Sequence, residues 1–267
     1  MSDYPEWSTI VTSTRVRAKT FPRLAEDMPT FLGVPVALAG KDLAGADVAT
    51  IGAPFAAGWG KQYSGVDKDL WLAGPKRVRQ QSIRYTGYMQ DFDLDILEEL
   101  KVVDLGDADI PPECNYVATV ENILRAQAAV EMKVNMALDA GAIPIVIGQN
   151  SPPGSYAIAK PIAEHAKGNV GCISLDTHWD SRPIDWATAD PRIAGSGNWK
   201  SKLYELHKNF TVPNLIEIGE RGSLEDKSYV RRFLREGVNF VPMWRIRTGF
   251  GLDGLIELLS KAYEGRS

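Results

Sequence analysis

Short apolar runs rich in β-branched residues recur along this chain, and longer amphipathic stretches separate them. The runs are Val48–Gly52, Val102–Leu105, Ile143–Gly148, Val170–Leu175, Leu215–Gly219 and Val238–Pro242. A strand that is apolar along its whole length is buried on both faces, and parallel strands need a crossover to connect them. The pattern therefore predicts an α/β protein: three αβα layers around a mostly parallel sheet. In 117–140, Val120, Ile123, Leu124, Val134, Ala137 and Leu138 share one helical face, and Gly141 follows as a stop. Leu252, Leu255, Ile256, Leu259 and Tyr263 form a second stripe near the end. The first 45 residues carry Pro5, Pro22, Pro29 and Pro35 with little periodicity. They read as an N-terminal arm, 1–45, draped over the domain or a neighbouring subunit. Residues 46–267 read as a single α/β domain.

Bulk properties exclude several classes of function. A net charge of −4 offers no basic surface for nucleic acid or an anionic membrane. No apolar run approaches the roughly 20 residues of a membrane span. Met1 to Trp7 lacks the basic and apolar regions of a signal peptide, so the expected location is cytoplasmic. Cys114 and Cys172 are too few for a disulfide framework or a thiolate zinc site.

In parallel sheets the ligand crevice lies beyond the carboxyl ends of the strands. Polar residues just after each run are therefore the candidates for chemistry. Asp176, His178 and Asp180 follow Val170–Leu175 at alternate positions. If the strand stays extended, both carboxylates and the imidazole share one side, a donor set suited to Mn²⁺, Ni²⁺ or Zn²⁺. The competing reading is a hydrogen-bonded polar strand end without metal. Asp91, Asp93 and Asp95 also alternate, but they precede a strand and read as turn residues. Asp104 and Asp107 read as organisers of a strand-end turn, and His165 and His207 as surface histidines of helical stretches. Trp179, Trp186 and Trp199 suit either core filling or a lid.

Several segments resemble the ureohydrolases, the arginase and agmatinase family. Asp176-Thr-His-Trp-Asp180 is similar to the family's D-A-H-x-D signature. Ile51-Gly-Ala-Pro-Phe55, Gly74-Pro-Lys-Arg-Val-Arg-Gln-Gln-Ser82, Val103-Asp-Leu-Gly-Asp107 and Ile216-Glu-Ile-Gly-Glu-Arg-Gly222 resemble further family motifs, in the family's order. The resemblance implies an arginase-like fold and hydrolysis of a guanidino or amidino C–N bond by hydroxide held between two metal ions. Two ions lower the pKa of bound water and stabilise the tetrahedral centre. On this pattern Asp176 would bridge, with His178 on one ion and Asp180 on the other.

The remaining family positions depart from the pattern. Where the family has G-G-D-H-S, this chain reads Gly148-Gln-Asn-Ser-Pro152, which puts Asn150 and Ser151 at ligand positions. A serine hydroxyl is a poor substitute for imidazole on a transition metal. Ser196, in Ala194-Gly-Ser-Gly-Asn198, stands where the family has a histidine. The carboxylate pair S-x-D-x-D of a late strand has no counterpart, so the C-terminal part of the family fold is expected to be missing. An unpaired sheet edge near the crevice is then expected, covered by a partner or by the arm, unless the sequence is that of a shortened product. Two divalent ions bring four positive charges, and Asp176 and Asp180 return only two.

The resemblance thus implies a non-catalytic or weakly active subunit that binds no metal stably itself. Its expected partner is a catalytic paralogue carrying two Mn or Ni ions, in a trimer or hexamer, acting on a small guanidino or biguanide (metformin-type) substrate. One alternative is an active agmatinase- or guanidinase-type enzyme using Asp176, His178 and Asp180. A second is a small-molecule binding protein on the same scaffold.

Overall fold

A computed structural model describes residues 21–56, 68–117, 119–148, 155–182, 190, 192–223 and 225–263. Its contacts gather into two compact units, Met1–Ile158 and Ala159–Ser267. The first is built on strands β1 (Val48–Ala53), β2 (Val102–Asp107) and β3 (Ile143–Gly148), with helices α1 (Gly74–Ser82) and α2 (Val120–Asp139). Helix α3 (Ser155–His165) contains the boundary between the units. The second holds β4 (Val170–Leu175), β5 (Phe210–Ile218) and β6 (Asn239–Val241). Its helices are α4 (Trp199–Leu206), α5 (Lys227–Arg235) and α6 (Gly251–Tyr263).

Both sheets are parallel, ordered β2-β1-β3 and β6-β5-β4. The α/β architecture is as expected, and among the described residues each unit carries one parallel three-stranded sheet. Among the described residues β3 pairs with β1 alone and β4 with β5 alone, and Ile143 is 65% exposed and Leu175 79%. The arm, over its described residues, lies along the outer edge of β2. Val36 bridges Asp104 there, and the Ala37 N–H donates to the Asp104 carbonyl at 2.9 Å.

Helices cover both faces of each sheet. In the first unit Ala49, Ile51 and Ala53 of β1 meet Val130, Val134 and Ala137 of α2. The Thr119 hydroxyl starts that helix by accepting from the Asn122 N–H, satisfying a donor that has no partner within the helix. On the opposite face, Arg79 of α1 is wholly buried. Its guanidinium forks onto Asp104 at 2.8 and 2.9 Å and reaches Asp107 at 2.5 Å. Gly52 leaves room for this contact, since a Cβ there would meet Arg79 Nη1 at 2.9 Å. Asp104 also accepts from the N–H groups of Phe31 and Gly106, so arm, helix and strand end share one carboxylate. The aspartates read as turn organisers do organise this turn, around an arginine.

In the second unit Leu215, Phe233, Tyr229 and Trp179 form the core on the α4 and α5 side. Ile216, Ile218 and Val241 meet Leu255, Leu258 and Leu259 of α6 on the other. Among the described residues no helix is long and apolar enough to cross a membrane.

Removing one member of a buried, hydrogen-bonded ion pair costs about 3–5 kcal/mol. Arg79→Met should therefore lower unfolding stability by that order in urea titrations. Arg79→Lys should recover only part of it, because an ammonium cannot fork onto Asp104.

Candidate functional site

The D-x-H-x-D segment leaves β4 at Leu175 and turns at once. Asp176 Oδ1 accepts from the backbone N–H groups of Thr177 at 2.5 Å and His178 at 3.0 Å, an Asx-type turn that ends the extended conformation. The Asp176 N–H still donates to the Ile218 carbonyl, which keeps the loop against β5. Gly219, with φ of +101°, lets the end of β5 approach closely: a Cβ there would lie 3.2 Å from the Asp176 carbonyl.

Asp176 and His178 come together, with His178 Nδ1 3.5 Å from Asp176 Oδ1 and both side chains partly exposed. Asp180 is held differently. Its backbone has φ of +49°, a left-handed conformation uncommon outside glycine, and its side chain is buried. The Trp199 indole N–H donates to Asp180 Oδ2 at 3.2 Å. Alternation along an extended strand would have put all three side chains on one side, but the chain is no longer extended here. Among the described residues no group of three or more His, Cys, Asp or Glu is placed to hold a metal ion. The donor set seen here does not fit a dinuclear centre. Asn150 and Ser151 lie outside the described residues, as does Trp186. Ser196 is half-buried in the turn before α4, where the Gly195 N–H donates to Asn198 Oδ1.

Trp179, between the two candidate ligands, is core. It packs on Phe240 at 4.8 Å and Phe233 at 6.4 Å, its N–H donates to Glu225, and its carbonyl accepts from Ser181 and Lys200. The decoys behave as turn and helix-end residues: Asp93 accepts from the Tyr88 hydroxyl, Asp95 from the Leu97 N–H, and His165 ends α3.

Sequence reasoning passed over a charged cluster beside this loop. Lys200 of α4 and Glu217 of β5 form an ion pair at 2.7 Å with both side chains fully shielded. Glu220, just past β5, is 4% exposed, and its carboxyl is hydrogen-bonded to the neighbouring Glu217 carboxylate. The available signal was Glu217 itself, an acidic residue inside the apolar run Leu215-Ile-Glu-Ile218. A charge there needs a buried counter-charge.

Burial, reinforced by the neighbouring Glu217 carboxylate, pushes the Glu220 carboxyl up to about 9. The folded chain therefore keeps a proton that the unfolded chain releases near an ordinary carboxylate pKa. Stability from this group is complete below about pH 4.5 and falls as pH rises through 9. Glu220→Gln should flatten the decline between those values by on the order of a few kcal/mol, read from denaturation midpoints across the pH range.

The Arginase family model matches residues 46–264. Proclavaminate amidino hydrolase from Streptomyces clavuligerus is similar in structure, with TM-score 0.69 and 21% identity over 90% of this chain and 71% of that one. Formimidoylglutamase from Bacillus subtilis gives TM-score 0.69 and 20% identity over 94% and 72%. Formiminoglutamase from Trypanosoma cruzi, solved with Mn²⁺, gives 0.64 and 23% over 89% and 71%. No curated protein matches. At these identities the solved structures speak for the fold alone, while the family model spans most of the chain and the motifs fall in order within it. The chain belongs to the arginase family.

Proposed function

We propose that this chain is a non-catalytic or weakly active member of an amidino hydrolase assembly, with the dinuclear metal centre in a partner subunit. The observation that carries the reading is the state of Asp180. Its carboxylate, needed as a ligand in the family's pattern, accepts a hydrogen bond from the Trp199 indole and is shielded from solvent. The sequence adds Asn150 and Ser151 at two further ligand positions, where neutral side chains cannot balance divalent charge. Family motifs that build the scaffold persist, among them the α1 segment carrying Arg79 and the Asp104-Leu-Gly-Asp107 strand end that Arg79 binds.

Retained scaffold with altered ligand positions fits a subunit that contributes surface or stability. The substrate of the assembly would be a small guanidino or biguanide compound, and Mn or Ni would reside in the partner. A trimer or hexamer is the expected form.

One observation favours a second reading. Asp176 and His178 approach within 3.5 Å at the partly exposed strand end, an arrangement that offers one oxygen and one nitrogen donor to a single ion. An active enzyme built on that pair would hydrolyse guanidine or agmatine without any partner.

The two are separated by co-expressing this chain with a family member that retains every ligand motif. Co-purification at fixed stoichiometry, with several-fold higher hydrolysis of guanidine, agmatine or biguanide than the partner gives alone, is the expected outcome. Separate elution together with unchanged partner activity would refute the subunit role. Turnover by this chain alone at a rate equal to that of the full-motif family member would establish the second reading.

A further inference from the structure

Helix α5 presents a row of cations to solvent. Lys227, Arg231 and Arg235 stand four residues apart, which puts them on one face over about 12 Å, and all three are exposed. None of these three side chains has an ion pair, hydrogen bond or ring contact among the described residues. The acids at the two ends of the helix are committed elsewhere. Asp226 caps it by accepting from the Ser228 N–H, and Glu236 pairs with Arg232 at 2.8 Å. Like charges one turn apart repel, so the row gains from carboxylates supplied from outside. Leu234, 45% exposed, flanks it.

The first unit carries the opposite kind of surface. A hairpin pairs Tyr88 with Asp95 and Met89 with Leu94, then runs into the short helix Ile96–Glu99. Asp91, Glu98 and Glu99 are exposed there, and their carboxylates have no ion pair or hydrogen bond among the described residues. Phe92 at the turn is 70% exposed, and Tyr88, Met89 and Leu94 beside it are exposed as well. Single apolar residues on a surface need no explanation, but several gathered on one hairpin and rimmed by charge mark a contact surface.

We infer that the acidic hairpin of one copy of this chain docks on the α5 face of a second copy. Three free carboxylates then meet three free cations, an arginine plane receives the Phe92 ring, and Leu234 meets the apolar rim. A nucleic acid or anionic membrane would satisfy the cations of α5 and leave the hairpin in water; a second copy serves both surfaces. The contact is heterologous, with a different surface from each copy. It goes beyond the proposed subunit role, which concerns association with a catalytic paralogue.

Charge reversal read by sedimentation velocity tests the contact. The native chain should self-associate as its concentration rises. A helix variant (Lys227→Glu, Arg231→Glu and Arg235→Glu) and a hairpin variant (Asp91→Lys, Glu98→Lys and Glu99→Lys) should each be monomeric. An equimolar mixture of the two should associate again, because every reversed surface then finds one of opposite sign. Phe92→Ser leaves the charges in place, keeps the test readable if a reversed chain misfolds, and should weaken self-association by about tenfold or more. A native chain still monomeric at about 100 μM, where even a weak specific contact is populated, would overturn the inference. So would reversed variants or a Phe92→Ser chain that associate as tightly as the native one, or a mixture that stays monomeric. A native chain monomeric alone that still co-purifies with a paralogue would sink this contact and leave the subunit role standing.

Discussion

A buried cation on a strand-end carboxylate organises each half of this molecule. In the second unit Lys200 meets Glu217 with both side chains fully shielded, and in the first Arg79 forks onto Asp104 in the same state. Isolated charges in such surroundings would be costly, so each partner fixes where the other must lie. Through Lys200 the start of α4 is tied to β5 and to the loop leaving β4. Through Arg79, α1 is tied to β2 and, by way of Asp104, to the arm. Loops that would otherwise be free at the carboxyl ends of the strands are thereby held by groups of the chain itself.

That arrangement bears directly on chemistry. A hydrolytic dinuclear centre needs carboxylates turned outward and left free to bind ions that lower the pKa of water. Here Asp176 spends one oxygen on two backbone N–H groups, and Asp180 is turned inward to the Trp199 indole. The adjacent Trp199-Lys200 pair supplies both restraints, the indole on Asp180 and the ammonium on the Trp179 carbonyl. The strand end keeps the family's residues while its local hydrogen bonds serve the fold.

Much of the fold was legible because burial on both faces leaves a plain trace. Ile143–Gly148 and Val170–Leu175 are strands over the ranges their apolar runs suggested. Strand β5 starts at Phe210, well ahead of the run at Leu215, and carries Pro213 within it. The structure accommodates it where the pairing with β4 shifts register between Val170 and Cys172, one of the places a strand tolerates proline. At the site, spacing put Asp176, His178 and Asp180 on one side of the strand end, and the structure brings Asp176 and His178 within 3.5 Å. The inward turn of Asp180 was missed because alternation assumes an extended backbone, and its φ is +49°. Lys200 was missed because its partners, Ser174 and Glu217, are distant in sequence and meet it only in the folded unit.

The proposed subunit role requires that the carboxylates of the β4 strand end serve this chain's own structure rather than hold a pair of ions. Anomalous diffraction at the manganese edge from Mn²⁺-soaked crystals of the isolated chain reads this most directly. The account predicts no pair of peaks at Asp176, with the Trp199 indole still on Asp180. Two full peaks on the order of 3.5–4 Å apart, sharing Asp176 and with Asp180 swung outward, would contradict it.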